Sequence, residues 1–122
     1  MAKILVADDD ASNRLLLTTL LRHAGHTVVE AADGESALER VSMERPELAL
    51  IDLSMPVLSG GELIRRIRAD PANSELALAL YTATPPNDAV RDFMRIYRVR
   101  AAIPKPCEPD TLLRMVEALL SA

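Results

Sequence analysis

Acidic, hydroxyl and ammonium side chains directly follow four apolar runs of this sequence. Asp8–Asp10 come after the first run and Asp52 after another, while Thr82 and Lys105 follow two later runs. Carboxylates held close together repel one another unless a cation lies among them, and Mg²⁺ prefers hard oxygen ligands together with phosphate. The residue types are therefore typical of phosphoryl transfer, with an acidic pair for the metal, an aspartate acceptor, and a threonine and a lysine that bind phosphoryl oxygens.

The elements that position these residues can be read from the apolar pattern. Short apolar runs alternate with segments whose apolar residues are three and four positions apart, which predicts strands and helices in alternation. This alternation favours an α/β fold with a parallel sheet, right-handed crossovers and helices on both faces. In such sheets ligands bind beyond the carboxyl ends of the strands, where the polar residues fall. The five runs are Ile4 to Ala7, Thr27 to Val29, Leu48 to Ile51, Leu76 to Tyr81 and Ala101 to Ile103.

The overall composition limits the classes of protein to which the chain can belong. Its 122 residues suit about one domain, and 49% hydrophobic with 26% charged residues excludes disordered and collagen-like chains. No apolar run approaches the roughly 18 residues of a membrane span, and a single cysteine cannot form an internal disulfide. We therefore expect a cytoplasmic domain that binds no membrane. A net charge of −4, from 14 basic and 18 acidic residues, also predicts no direct nucleic-acid binding.

Several short motifs follow one another along the chain in a characteristic order. They are Ile4-Leu5-Val6-Ala7-Asp8-Asp9, Asp33-Gly34, Leu50-Ile51-Asp52-Leu53-Ser54-Met55-Pro56, Gly60, Thr82-Ala83 and Lys105-Pro106. Their order and spacing resemble the receiver domain of two-component response regulators. The resemblance covers nearly all of residues 1–122, which we expect to form one receiver domain. It implies a flavodoxin-like (βα)5 fold with strand order 2-1-3-4-5.

The resemblance also implies an acceptor and a metal site. Asp52 would accept a phosphoryl group from a histidine kinase or a phosphotransfer protein. Mg²⁺ would be held by Asp9 directly, by Asp8 through water, by Asp52, and by the main-chain carbonyl of Ser54. The expected role is phosphorylation-dependent signalling to an output partner that the sequence does not name, rather than enzymatic turnover.

Two further roles follow from the resemblance, and one departure from the family pattern stands beside them. Thr82 and Lys105 would bind the phosphoryl oxygens, and the Lys105–Pro106 peptide bond would be cis. Receivers usually carry a Tyr or Phe three residues before the lysine, and it turns inward when the Thr moves. That position is Ala102 in this chain, and an alanine cannot act as a rotamer switch.

The fourth helical segment, near residues 87–95, is a candidate output surface. Arg91, Met94, Arg95 and Tyr97 could face an acidic partner, although a solvated helix face explains the arginines equally simply. Because Ala102 cannot relay the signal, our hypothesis is that Thr82 acts on this helix or on the loop before it through Tyr81 or Tyr97.

Two alternatives from other classes remain open at this level. Ala102 is consistent with a receiver that no longer switches and serves as a scaffold or a phosphate sink. Asp8-Asp9-Asp10-Ala11-Ser12 also resembles the opening motif of haloacid-dehalogenase-type phosphatases, with Asp8 as nucleophile and Asp10 as general acid. That family needs a late acidic pair after a further strand, which this chain does not offer, and Asp10 is equally suited to capping the first helix.

Overall fold

A computed structural model describes residues 1–121, and within them the chain alternates between five strands and five α-helices. The predicted strands are confirmed, although β4 begins one residue later than its apolar run, and all but β3 extend beyond their runs because the backbone ladder continues. The strands are β1 (Lys3–Ala7), β2 (Thr27–Ala31), β3 (Leu48–Ile51), β4 (Ala77–Thr82) and β5 (Val99–Pro104). The helices are α1 (Ala11–His23), α2 (Gly34–Glu44), α3 (Gly60–Ala69), α4 (Asp88–Tyr97) and α5 (Pro109–Ser121), with a short 3₁₀ turn at Pro71–Asn73.

The five strands form one parallel sheet in the order β2-β1-β3-β4-β5, as the resemblance implied. Register brings the strand ends together. Ala7 of β1 pairs with Ile51 of β3, so the residues that follow these two strands are neighbours. Thr82 at the end of β4 pairs with Pro104 of β5. We call this end of the sheet its carboxyl edge.

Side chains of each strand alternate between two apolar layers. Ile4 and Val6 of β1 pack with α1 and α5, whereas Leu5 and Ala7 pack with α2 and α3. Each fully buried Leu or Ile contributes about 1.5–3 kcal/mol relative to an exposed one, so both layers hold the sheet rigid.

None of the helices within residues 1–121 combines the length and the apolar character that a membrane span requires.

The helices begin close behind the carboxyl edge because polar residues cap them there. The Asp10 carboxylate accepts hydrogen bonds from the main-chain N–H groups of Ser12 and Asn13, which confirms its capping role. Ser59 and Asn87 cap α3 and α4 in the same way. Each such cap is typically worth about 1 kcal/mol.

Glycine allows α3 to start directly against the end of β3. A Cβ atom at Gly60 would collide with the carbonyl oxygen of Asp52. Gly61, one residue later, is open, since its nearest neighbour would be the Phe93 ring at 3.9 Å. The loop that carries Asp52 is therefore fixed between β3 and the first turn of α3.

Candidate functional site

The structure brings the predicted site residues to the carboxyl edge. Asp8 and Asp9 follow β1, Asp52 follows β3, Thr82 ends β4 and Lys105 follows β5. Two backbone hydrogen bonds extend the ladder past the strands, because the N–H of Asp52 donates to Ala7 (2.9 Å) and that of Lys105 donates to Thr82 (3.0 Å). The side chains that emerge from these residues are thus held by the sheet itself.

Three carboxylates form a compact acidic cluster. Asp8, Asp9 and Asp52 each offer an oxygen, and these oxygens lie within 4.8 Å of one another. Asp8 (1% exposed) and Asp52 (8% exposed) are buried, whereas Asp9 is exposed. A pair of buried acids with one exposed acid gives a divalent cation hard ligands and a route from solvent.

Lys105 bridges the two buried carboxylates. Its Nζ donates to Asp8 Oδ2 at 2.6 Å and to Asp52 Oδ2 at 3.3 Å. Burial by itself lowers the pKa of this ammonium, but the hydrogen bond to Asp8 and the charges of Asp52 and Asp8 outweigh it, so the pKa of Lys105 is raised. The lysine is therefore a fixed cation at neutral pH.

The carboxyl group of Asp52 carries a raised pKa. Burial is the largest cause, and the charge of Asp8 adds to it. The N–H of Ser54, which donates to Asp52 Oδ1 at 3.1 Å, and the Lys105 ammonium oppose the shift without cancelling it. The negative charge of Asp52 is thus incompletely compensated by the protein, and a cation among the three carboxylates would relieve it.

Asp8 is held by its own loop as well as by the lysine. Its Oδ1 accepts from the N–H of Asp10 (2.9 Å), and its main-chain carbonyl accepts from Arg14 Nη1 (2.7 Å). The Asp10 carboxylate is used by the cap of α1, where it accepts from the N–H groups of Ser12 and Asn13, so it is not free to serve Asp8 as a general acid. This arrangement does not favour Asp8 as a nucleophile with Asp10 as its general acid.

Thr82 lies at the same edge but outside the hydrogen-bond network of the lysine and the carboxylates. It is buried, and its Oγ1 accepts from the N–H of Thr84 at 3.2 Å. Beside it, Ala102 helps to line a cavity of about 200 Å³ that reaches Pro85 and Pro86. The Lys105–Pro106 peptide bond is cis.

Sequence reasoning missed the contact that Tyr81 makes. Lys105 Nζ lies 5.1 Å from the centre of the Tyr81 ring, a cation–π arrangement, and the ring is 5% exposed. Tyr81 belongs to the layer of α1 and α5, on the face of the sheet opposite to α4, and this placement does not favour a relay to α4 through its ring. The period-two alternation of β4 contained this information, because Tyr81 and Thr82 must face opposite sides of the sheet.

The four residues of the candidate output surface do not share one environment. Arg91 and Arg95 are exposed, and each pairs with an aspartate three residues before it, at 3.2 and 3.5 Å. Met94 and Tyr97 are half-buried against the layer of α2 and α3. The Tyr97 ring lies 4.7 Å from that of Phe93. Only the two arginines are thus available to a partner without movement of α4.

Comparison with known proteins identifies the family. The family model described as response regulator receiver domain matches residues 4–117. Protein PilH of Pseudomonas aeruginosa is 29% identical over 121 residues, with 99% of each chain covered. The chain spans only about 6% to 50% of longer sensor and regulator proteins that it also matches.

Solved structures agree. Chemotaxis protein CheY4 of Vibrio cholerae has a TM-score of 0.91 and 28% identity, covering 98% of each chain. The receiver domain of sensor histidine kinase PA1611 from P. aeruginosa has a TM-score of 0.89 and 25% identity, covering 99% of this chain and 98% of that one. A magnesium ion is coordinated in the active-site cleft of the PA1611 domain. Together with the match over residues 4–117, these likenesses show that the chain belongs to the response regulator receiver domain family.

Proposed function

We propose that Asp52 accepts a phosphoryl group from a histidine kinase or a phosphotransfer protein in a Mg²⁺-dependent reaction, and that this changes the binding of an output partner. The observation that carries the proposal is the single lysine bonded to two buried carboxylates, Asp8 and Asp52. A third carboxylate, Asp9, completes the cluster. The setting that we propose is the cytoplasm, in keeping with one cysteine in 122 residues.

The charge balance of the cluster supports a divalent cation. Asp8, Asp9 and Asp52 contribute three negative charges and Lys105 one positive charge, which leaves two negative charges. Mg²⁺ would be held by the three carboxylates and by the main-chain carbonyl of Ser54. When bound, the metal supplies charge neutralisation for the incoming phosphoryl oxygens.

The protein groups supply positioning and a counter-charge. An Asp52 carboxylate oxygen forms the new bond to phosphorus as the bond between phosphorus and the donor breaks. Lys105, which already contacts Asp52, then binds a phosphoryl oxygen instead of a carboxylate oxygen. Asp8 is nearer to the Lys105 ammonium than Asp52 is. It therefore holds the ammonium beside the reacting atoms when Lys105 releases Asp52.

A relay to α4 that does not need an aromatic switch is available through Thr82. Its Oγ1 accepts from the N–H of Thr84, the second residue of the loop that leads to α4. If Thr82 turns towards the phosphoryl group, this hydrogen bond is lost and the loop is freed. Ala102 offers no steric resistance, because a cavity lies beside it.

Phosphate uptake tests the acceptor. The chain is incubated with Mg²⁺ and acetyl phosphate, and the added phosphate is counted by intact mass and located by fragmentation. We expect one phosphate on Asp52, lost in Asp52→Asn and in EDTA. Asp10→Asn is the matched control, since asparagine also caps helices and the same charge is removed. Stoichiometric uptake by Asp52→Asn would overturn the assignment.

The alternative is a receiver that is phosphorylated without switching, and Ala102 is the residue that favours it. Amide spectra with and without beryllofluoride, a phosphoryl mimic, separate the two functions. We expect shifts in residues 83–103 if Thr82 releases the loop. Phosphorylation at Asp52 with no shift in that range would instead leave a phosphate sink or a scaffold.

A further inference from the structure

A basic cavity lies at the edge of the sheet opposite to Asp52. It has a volume of about 310 Å³ and sits between the segment before β4, the end of α4 and the start of β5. Four of its lining residues are arginines, Arg68, Arg95, Arg98 and Arg100, and Glu75 is the one acid among the lining residues within positions 1–121. The whole chain carries a net charge of −4, so this concentration of positive charge is local.

Three of these arginines lack a carboxylate partner within the part of the chain that the structure describes. Within residues 1–121, every carboxylate partner that Arg68, Arg98 or Arg100 could use lies more than 4.0 Å away. Arg68 instead donates to the main-chain carbonyls of Tyr97 (2.7 Å), Asn73 (2.8 Å) and Arg98 (3.0 Å). Carbonyl oxygens satisfy the guanidinium N–H groups but carry no net charge, so the positive charge remains uncompensated.

The arginines repel one another as a result. Burial lowers the pKa of Arg68 below its usual range, and the charges of Arg98 and Arg100 lower it further, while Glu75 opposes them only in part. A negative charge in the cavity would reverse this effect.

The backbone holds these side chains in place before any ligand arrives. Arg98 ends α4 in the left-handed conformation (φ 55°), and its Nη2 donates to the Ser74 carbonyl at 3.4 Å. Arg100 Nη1 donates to the Leu119 carbonyl of α5 at 2.9 Å, which holds this guanidinium towards the other face of the sheet, so Arg100 adds positive charge at the rim of the cavity. Such preorganisation reduces the entropy that binding must overcome.

We propose that the basic cavity, Arg68, Arg95, Arg98 and Arg100, binds a compact phosphate-bearing anion. Guanidinium forks match phosphate oxygens in pairs, and the exposed guanidinium groups of Arg95 and Arg98 are the ones free to do so, while Arg68 and Arg100 add positive charge. The volume lies at the small end of ligand pockets, which span roughly 300–1,000 Å³. None of the lining residues within positions 1–121 is aromatic, so a nucleobase has no stacking platform, and the site is one concavity rather than a basic stripe. A diphosphate or a phosphate headgroup fits better than a polynucleotide. The inference is independent of the proposed function, because Asp52 takes no part in it.

The test is a titration of the isotope-labelled chain with inorganic pyrophosphate in EDTA and low salt. We expect saturable amide shifts in residues 74–76 and 98–100, with little change at residues 52–54. Arg98→Asn, which suits the left-handed position, should weaken binding about tenfold. Arg45→Asn is the matched control, because Arg45 ends α2 in the same conformation (φ 48°) and the same charge is removed. It should weaken binding less than about twofold.

Further measurements distinguish a free phosphate from a lipid headgroup and test whether net charge alone explains the binding. Binding to phosphatidylglycerol vesicles but not to pyrophosphate, lost in Arg98→Asn, would support the site with a lipid headgroup as ligand. Equal weakening by Arg98→Asn and Arg45→Asn would overturn the proposal, since net charge alone would then explain binding. Absence of binding in both arms would also overturn it. If Arg98→Asn does not fold, Arg95→Gln against Arg91→Gln makes the same comparison, because both are exposed on α4 and pair with an aspartate three residues earlier, but only Arg95 lines the cavity.

Discussion

Helices α3 and α4 have the same length and lie on the same face of the sheet, yet they are attached to it very differently. Both contain ten residues. α4 has no buried residue, and its apolar residues Val90, Phe93, Met94 and Tyr97 are only half-buried. The buried residues of α3 are Gly60, Leu63, Ile64 and Ile67. The helix behind the acceptor is therefore anchored in the core, whereas the helix that would respond is not.

The polar contacts at the carboxyl edge differ from those of α4 in the same sense. At the carboxyl edge, Lys105 and Asp8 form a buried ion pair of 2.6 Å. The ion pairs of α4 are all exposed, and exposed pairs contribute about 0–1 kcal/mol. The acidic cluster therefore lies on the firmly anchored part of the sheet. Helix α4 is an element of low local stability, which is what a conformational response requires.

The largest effect on stability is expected from a substitution that disturbs the packing of α3 against β3. We expect Gly60→Ala to lower the free energy of unfolding by about 3 kcal/mol, because the added methyl group collides with the Asp52 carbonyl. Gly61→Ala, on the next residue, has space and should raise stability by about 0.5 kcal/mol. Urea denaturation measures both. Equal effects of the two substitutions would mean that α3 is not held tightly against β3.

The next test removes the link between the two helices. Arg68 of α3 donates to the carbonyl of Tyr97 at the end of α4. We expect Arg68→Gln to cost about 2 kcal/mol, as hydrogen bonds from a charged donor do, and to speed amide hydrogen exchange in α4. Phosphate uptake at Asp52 should stay unchanged. Arg66→Gln, on the same helix but exposed, is the control. Faster exchange around Asp52 would show that the two regions are not independent.

The sequence predicted the carboxyl edge well because strand order and strand ends are enough to define it. Asp8 and Asp52 follow buried strands and Lys105 follows the edge strand β5, so any parallel sheet with this strand order brings them to one edge. The cap at Asp10 was predictable for a similar reason, since capping depends on residues only two or three positions away.

The rest depends on which side chains meet across elements, and spacing does not give that. Nothing in the spacing indicates that Lys105 lies closer to Asp8 than to Asp52. The contacts of Arg68 with carbonyls about 30 positions away also require the folded backbone. The start of β5 at Val99 was missed because Arg100 interrupts its apolar pattern, while pairing with β4 holds it in the sheet.

A smaller effect concerns the charge of the acceptor. Because burial raises the pKa of Asp52 in the folded state, the folded protein binds this proton more tightly than the unfolded chain. Stability contributed by this group therefore falls as the pH rises through its pKa. In EDTA at pH 7, we expect Asp52→Asn to raise the free energy of unfolding by about 0.5–2 kcal/mol. The gain should shrink as the pH approaches 3.8, the ordinary value for aspartate.

Thermal unfolding from pH 3.5 to pH 7 measures this dependence. Asp110→Asn removes an exposed carboxylate and is the control for the loss of one negative charge. A loss of stability in Asp52→Asn at pH 7 would show that Lys105 compensates the Asp52 charge fully.

The smallest effect on the acceptor is expected from filling the cavity beside Thr82. This substitution tests whether the acceptor and α4 are independent. Ala102→Leu places apolar atoms in a space of about 200 Å³ next to the loop that leads to α4. Ala102 packs against the layer of α2 and α3 and has no polar side-chain atom, so phosphate uptake should stay within about twofold. The beryllofluoride-induced shifts of residues 83–97 should shrink, because Thr82 loses the room to turn.

The matched control lies on the other face of the same strand. Ala101 borders a shallow groove near Met115 of α5, so Ala101→Leu adds the same atoms on the side away from α4. We expect this variant to keep both phosphate uptake and the response of residues 83–97. If Ala102→Leu abolished uptake, the acceptor and α4 would be one cooperative unit, and their different anchoring would have no functional meaning. If neither substitution altered the α4 shifts, the signal would leave the site by another route, and the Lys105–Tyr81 contact towards α5 would be the next to test.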